Sequence, residues 1–286
     1  MHHEGAWELE STPHGVATLW FDRPGRVHNT LGSVTFHEMQ ARLREVMGDP
    51  RIGSLFVRSR KPRGFCAGAD LNELAACQAF EQVDAFMRLG ATTLEMLSAL
   101  PIPTTALIHG ACVGGGLELA LACRERRALE GGGLSDSLIA SPEVHRGLVP
   151  AWGAVHALPP ILGLPGALAM LLGAPPIGAD EALRLGLISG ISPPDGPHIP
   201  PTSRRDQPWT PPDDWEAQVD RARAALDPGD DGTAVARRVT LDVLTVFLKD
   251  GQEAGHEAAL EAIVELSVSP PTRALLASFL HRPHQA

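Results

Sequence analysis

Tyrosine is absent from the 286 residues, and lysine occurs only at Lys61 and Lys249, so arginine carries nearly all the positive charge. With 29 glycines and 25 prolines alongside, this reads as a bias of genome composition and not as a mechanism. The scarcity of lysine still excludes one class: no Gly-rich loop ending in Gly-Lys-Ser/Thr is present to cradle a nucleotide phosphate. Cysteine is sparse too, at Cys66, Cys77, Cys112 and Cys123, with no C-x-x-C among them. Reduced thiols are expected, as in a cytoplasmic protein, and no disulfide framework. The twelve histidines form no H-E-x-x-H and no paired Cys/His spacing, so no metal site is expected. A G-x-S-x-G nucleophile elbow and a complete G-x-G-x-x-G are likewise missing.

Positive charge is in deficit overall. A net charge of -10 argues against a nucleic-acid or anionic-membrane partner, which would require a basic surface. The N-terminal MHHEGAWELE has no basic stretch followed by an apolar one, so no secretory signal is read there. The longest apolar run, 158–174, contains prolines and glycines that suit a buried helix with turns better than a membrane span. A cytoplasmic globular protein is the expectation, with mean hydropathy of -0.01 and enough chain to bury a large core.

Apolar periodicity gives the organisation. Residues 15–21 alternate as a strand that ends at Asp22-Arg23-Pro24-Gly25, residues 31–47 have helical spacing, and 52–58 read as a second strand. A helix over 80–99 stops at Pro101-Ile102-Pro103, and a strand over 104–109 runs directly into a glycine triplet. The pattern blurs after Cys123, and 158–172 and 179–185 are again helical. Eight prolines fall between Ser192 and Pro212, marking a linker or exposed excursion. Helix-compatible spacing returns at 215–226, 234–248, 257–268 and 271–280. The expected layout is α/β, with a core over 1–190, a proline-rich linker over 191–214 and a helical appendage over 215–286 that packs against the core or another subunit.

The chemistry concentrates in Ala111 to Cys123, ACVGGGLELALAC, where Glu118 is the single charge in an apolar run. A carboxylate there is desolvated, which is costly unless it is paired or put to use. Glycines let backbone N–H groups approach a substrate closely, and the helix that follows points its N-terminus at developing negative charge. A second glycine-bearing turn, Cys66-Ala67-Gly68-Ala69-Asp70, also follows a predicted strand. Two N–H donors from two loops are what an enolate or tetrahedral oxyanion requires. Glu143 in Ser-Pro-Glu-Val is a second carboxylate; alone it reads first as a first-turn helix residue after Pro142, favoured by the macrodipole, and only second as a catalytic group.

The ordered set FDRPGRVHNTL, GFCAGADLNEL, PTTALIHGACVGGGLELALAC, SPEVHRGLVPAWGAVHALPPILG and GADEALRLGLIS resembles the crotonase (enoyl-CoA hydratase/isomerase) superfamily over roughly residues 7–189. It is most similar to the hydratase/isomerase part of multifunctional fatty-acid oxidation proteins. The resemblance implies a spiral of ββα repeats with a C-terminal helical appendage, assembly as a homotrimer or hexamer, and an acyl-CoA thioester substrate. It implies backbone N–H donors at Ala69 and Gly115, and catalytic glutamates at Glu118, activating water, and Glu143, supplying a proton. The substrate would be lined by Arg26, Val27, Ala69, Asp70, Leu71, Asn72 and Gly115, with Arg60, Lys61 and Arg63 near its anionic tail. Coenzyme A would enter as part of the substrate, with no separate cofactor.

The chain departs from the family pattern in three places, one of them the proline-rich excursion from Ser192. Arg124-Glu125-Arg126-Arg127 and Glu130-Gly131-Gly132-Gly133 replace an Asp and a regular strand, and Trp152-Gly153-Ala154-Val155 replaces a Gly-Gly-Thr. Hydration of an enoyl-CoA is the leading reading. The alternatives are another crotonase reaction (enoyl-CoA isomerisation, thioester hydrolysis or decarboxylation), in which one carboxylate suffices, and a non-catalytic acyl-CoA-binding assembly subunit.

Overall fold

The structure, a computed structural model, describes residues 5–130, 138–193 and 209–281. The chain forms two compact units, each assembled from three stretches. The first comprises Met1–Ala69, Leu89–Ala140 and Pro176–Pro208, and the second Asp70–Arg88, Ser141–Pro175 and Trp209–Ala286.

All the described strands lie in the first unit. They are β1 (Trp7–Ser11), β2 (Val16–Phe21), β3 (Ser54–Ser59), β4 (Gly64–Cys66), β5 (Thr104–Ile108), β6 (Ala111–Val113), β7 (Glu125–Leu129), β8 (Leu138–Ala140) and β9 (Gly190–Ser192). A six-stranded sheet runs β1-β2-β3-β5-β7-β9 and a three-stranded sheet runs β4-β6-β8. Only β1 is antiparallel to its neighbour. Each successive pair, β3 with β4, β5 with β6 and β7 with β8, gives one strand to each sheet. This is the ββα repeat that the resemblance implies.

The alternation read in β2 is physical: Ala17, Leu19 and Phe21 are buried while Val16, Thr18 and Trp20 are half-exposed. Phe21 stacks on Trp7 of β1 at 4.0 Å. Strand β5, TTALI, is buried along its whole length, as a strand covered on both faces must be. Helix α1 (Ser33–Gly48) buries Phe36, Met39 and Leu43 on one side.

The expectation of irregular chain after Cys123 is corrected here. Residues 125–129, ERRAL, form β7, hydrogen-bonded in parallel to β5. The charges are accommodated because arginine has many donors and carbonyls are nearby. Arg126 donates through Nε to the Leu187 carbonyl (2.7 Å) and through Nη1 to that of Cys123 (3.2 Å). Arg127 donates to Ser192 Oγ (2.6 Å) and to the Ile191 carbonyl (3.2 Å), tying β7 to β9. The Gly131–Gly133 part of that departure lies outside the described residues, as does most of the proline-rich stretch.

The second unit is helical. It holds α2 (Leu71–Ala76), the start of α3 (Phe80–Ser98), α5 (Ala154–Leu171), α7 (Trp215–Ala224), α8 (Gly232–Asp250), α9 (Gln252–Val268) and α10 (Pro270–Leu280); α4 (Gly115–Ala122) and α6 (Ala179–Arg184) belong to the first. Among the described residues α5 alone is long and apolar enough to cross a membrane, and half of it is buried. It contains Pro159, Pro160 and Pro165 and is broken at Gly163, consistent with the turns read there. The four helices expected after residue 214 are α7 to α10. Asp231 caps α8 by accepting from the N–H groups of Thr233 (2.8 Å) and Ala234 (3.0 Å), and Ser269 caps α10. In the departure at 152–155, the buried Trp152 donates its indole N–H to the Met87 carbonyl (2.9 Å), with Phe86 edge-on to its ring.

Candidate active site

Strands β4 and β6 are parallel neighbours, so the loops that leave them emerge side by side at their carboxyl ends, where α/β sheets bind ligands. One loop turns at Gly68 and presents Ala69; the other turns at Gly114 and starts α4 at Gly115. The contact between them is backbone on backbone. A Cβ at Gly68, whose φ is +96°, would stand 3.0 Å from the Val113 carbonyl oxygen and 3.3 Å from the Gly115 nitrogen. A Cβ at Gly116 would stand 2.2 Å from the Cys66 carbonyl oxygen, which no side chain tolerates. Among the described residues, neither the Ala69 nor the Gly115 N–H has a backbone acceptor. Gly115 is also the first residue of α4, so its N–H points away from the helix and its macrodipole favours an anion there.

The Ala69 loop is locked from beneath by Asn29, which is 1% exposed. Its Nδ2 donates to the carbonyls of Phe21 (2.9 Å) and Phe65 (3.2 Å) and to Ser59 Oγ (3.0 Å). Its Oδ1 accepts from the Arg23 N–H (2.9 Å), and its carbonyl accepts from the Ala67 N–H (2.9 Å). Leu31 N–H then bonds the Gly68 carbonyl (2.8 Å). The Asn29 amide thus anchors the end of β4, and the main chain of Asn29 and Leu31 holds the Ala67–Gly68 stretch that leads to the Ala69 donor.

Glu118 lies on α4 one turn after Gly115, 3% exposed, in a helix whose residues are all buried. Its desolvation is as the sequence suggested. Glu143 belongs to the second unit, at the start of a 3-10 turn, Glu143–Arg146. Ser141 Oγ donates to Glu143 Oε2 (2.8 Å). Burial raises the Glu143 carboxyl above the usual carboxylate range, and the Ser141 bond and the Arg146 charge pull it partly back.

Residues 11–197 match the family model described as enoyl-CoA hydratase/isomerase. The chain belongs to the enoyl-CoA hydratase/isomerase family. Over 190 residues it is 38% identical to the fatty acid oxidation complex subunit alpha of Shewanella sp. (strain W3-18-1), covering 66% of this chain and 26% of that one. The same identity and coverage hold for the subunit alpha of Shewanella putrefaciens, so the chain spans about a quarter of the length of these relatives. In fold it is similar to the enoyl-CoA hydratase from Bacillus halodurans, with TM-score 0.69 at 22% identity over 96% of this chain and 100% of that one. An enoyl-CoA hydratase/isomerase from Xanthobacter autotrophicus Py2 gives TM-score 0.67 at 24% identity, over 97% and 94% of the two chains.

Within this hydratase/isomerase chain, the first unit brings together Ala69, Gly115 and Glu118. Arg26 and Val27 lie in the exposed loop before Asn29, Val27 at 62% exposure. Asp70, Leu71, Asn72 and Glu143 belong to the second unit. The Asp70 carboxylate is the N-cap of α2, accepting from the N–H groups of Asn72 (3.1 Å) and Glu73 (3.4 Å). Arg60 is engaged by Glu8 (2.8 Å) and Glu10 (2.5 Å), and Lys61 by Asp22 (2.6 Å), leaving Arg63 and Arg26 exposed. Among the described residues no three His, Cys, Asp or Glu side chains come together as a metal site. All four cysteines are free, and burial pushes the Cys66 thiol up to about 12. Sequence reasoning did not single out Asn29, whose only signal was its place in VHNTL, nor Ser141, which precedes the Pro-Glu pair.

Proposed function

We propose that this member of the hydratase/isomerase family adds water across the 2,3 double bond of an enoyl-CoA thioester. The observation that carries the reading is the pair of N–H groups, Ala69 and Gly115, on two loops that touch through glycine. Donors so placed accept the charge that develops on a thioester carbonyl oxygen, which makes Cβ electrophilic and lowers the enolate in energy. Glu118 takes a proton from water as the oxygen bonds to Cβ. The π electrons move toward the carbonyl, and the enolate oxygen is held by the two N–H groups. Glu143 then delivers its proton to Cα as the carbonyl re-forms. A carboxyl raised by burial suits that second role, since it retains a proton longer than a solvated one. Exchange between the carboxyls and solvent returns both to their starting states.

The charge is met by N–H donors, so the reading needs neither a metal nor a redox cofactor, and coenzyme A enters as the substrate's own handle. Arg26, Val27 and the stretch Ala69–Asn72 line that substrate. A cytoplasmic homotrimer or hexamer, assembled through the helical tail, completes the proposal.

The test is hydration of crotonyl-CoA, followed by loss of the conjugated-enoyl absorbance. Glu118→Gln and Glu143→Gln are each expected to lower kcat by about a hundredfold or more with the protein still folded. Wild-type turnover in both variants would overturn the two-carboxylate mechanism. Loss in Glu118→Gln alone, with isomerisation of a 3-enoyl-CoA retained, would point to the single-carboxylate alternative.

A further inference from the structure

The turn that carries Glu143 is fixed by side chains of its own unit. Ser141, 1% exposed, directs its hydroxyl at Glu143 Oε2 (2.8 Å), leaving Oε1 as the oxygen not engaged by it. Three residues after Glu143, Arg146 folds back so that Nη1 donates to the Pro142 carbonyl (3.2 Å), while its guanidinium lies 4.3 Å from the centre of the Phe279 ring on α10. The turn closes at Gly147, whose carbonyl accepts from Thr272 Oγ1 of α10 (2.9 Å). An arginine laid on an aromatic face loses water but keeps its charge.

We propose that Ser141 and Arg146 are positioning residues for Glu143: the serine hydroxyl fixes which carboxyl oxygen faces a substrate, and the arginine, seated on Phe279, holds a positive charge beside it. The proposal rests on the reading of Glu143 as the proton donor. Among the described residues, the neighbouring histidine and arginines of this unit are bonded elsewhere. His145 Nε2 contacts the Gly173 carbonyl (2.9 Å), and Arg237 of α8 donates to the Leu172 carbonyl (3.1 Å). Arg238 of α8 bonds the Gly229 carbonyl (2.7 Å), and Arg273 of α10 the carbonyls of Ala75 (2.9 Å) and Cys77 (2.5 Å).

The sign of the effect follows from the chemistry. A donor to the carboxylate and a nearby cation both favour the ionised form, so losing either makes the carboxyl harder to ionise. A general acid loses activity as pH rises past its pKa, so the basic limb of the rate profile moves to higher pH.

The experiment is the pH dependence of kcat for crotonyl-CoA hydration by the full chain. Ser141→Ala is expected to lower kcat by about ten- to a hundredfold with KM nearly unchanged, and to shift the basic limb upward; Ser141→Thr restores both. Arg146→Gln shifts the limb the same way and Arg146→Lys largely restores it. Should Arg146→Gln fail to fold, the serine pair decides alone. Unchanged kcat and limb in Ser141→Ala, with activity lost in Glu143→Gln, would overturn this proposal. Full activity in Glu143→Gln would instead overturn the role given to Glu143.

Discussion

The two units hold their chemical groups by opposite means. In the first, the Ala69 and Gly115 donors are main-chain atoms, placed by loops that approach because Gly68 and Gly116 carry no side chain. In the second, Glu143 is a side chain held by other side chains, Ser141 directly and Thr272 and Phe279 through the turn beneath it. Donors of the first kind are specified by missing atoms and are all-or-none. A carboxylate of the second kind is specified by added bonds, each of which can be removed singly and tuned.

That contrast can be broken in a graded way. The largest effect is expected from Gly116→Ala, whose Cβ would meet the Cys66 carbonyl at 2.2 Å. Backbone on both sides cannot give way, so a loss of about 3 kcal/mol or more in urea denaturation is expected, with folding failure the extreme. A variant as stable as wild type would show that the loops are not in contact. Asn29→Leu comes next. It removes the amide's bonds to the Phe21 and Phe65 carbonyls, of which the first keeps the Arg60 N–H (3.0 Å), at a cost of about 2 kcal/mol. If crotonyl-CoA turnover fell no further than the folded fraction, the amide would be a stability element without influence on the Ala69 donor.

The smallest effect belongs to a surface pair of the helical unit. Arg88 bonds Glu257 (2.6 Å) and Asp84 (2.9 Å), and the contact raises the arginine and lowers Glu257. Both partners of the long-range pair are about half exposed, so screening by solvent leaves little net gain. Arg88→Ala is expected to change stability by about 0.5 kcal/mol or less, and that difference to vanish in high salt. A larger loss would place this pair with the buried clamps.

What was legible in the sequence follows length and periodicity. Strands β2, β3 and β5 and helices α1, α3 and α7 to α10 are long enough for alternation or helical spacing to show. Strands β4, β6, β8 and β9 have three residues each, too few for a period, and β1 was not read at all. Strand β7 was hidden for another reason. Its charges read as loop, and only the three-dimensional placement of the 187–192 carbonyls and hydroxyls shows how two arginines can be half or fully buried in a strand. For the candidate site, the glycine triplet and the lone charge of Glu118 were visible because they violate the composition around them. Asn29 and Ser141 are ordinary residues in sequence; their roles exist only through partners up to 36 residues away or through a local bond between one hydroxyl and one carboxylate.

The bond from Thr272 to Gly147 spans 125 residues, and that distance becomes time when the chain is made. Everything that shapes the donor loops, from Asn29 to the bond of Gly114 N–H with Ala140, has been synthesised by residue 140. At about 5–20 residues per second, the turn bearing Glu143 then waits on the order of ten seconds for α10 to arrive. A nascent chain therefore carries its glycine loops well before it can brace its acid turn, and a ribosome stalled in that interval holds one without the other.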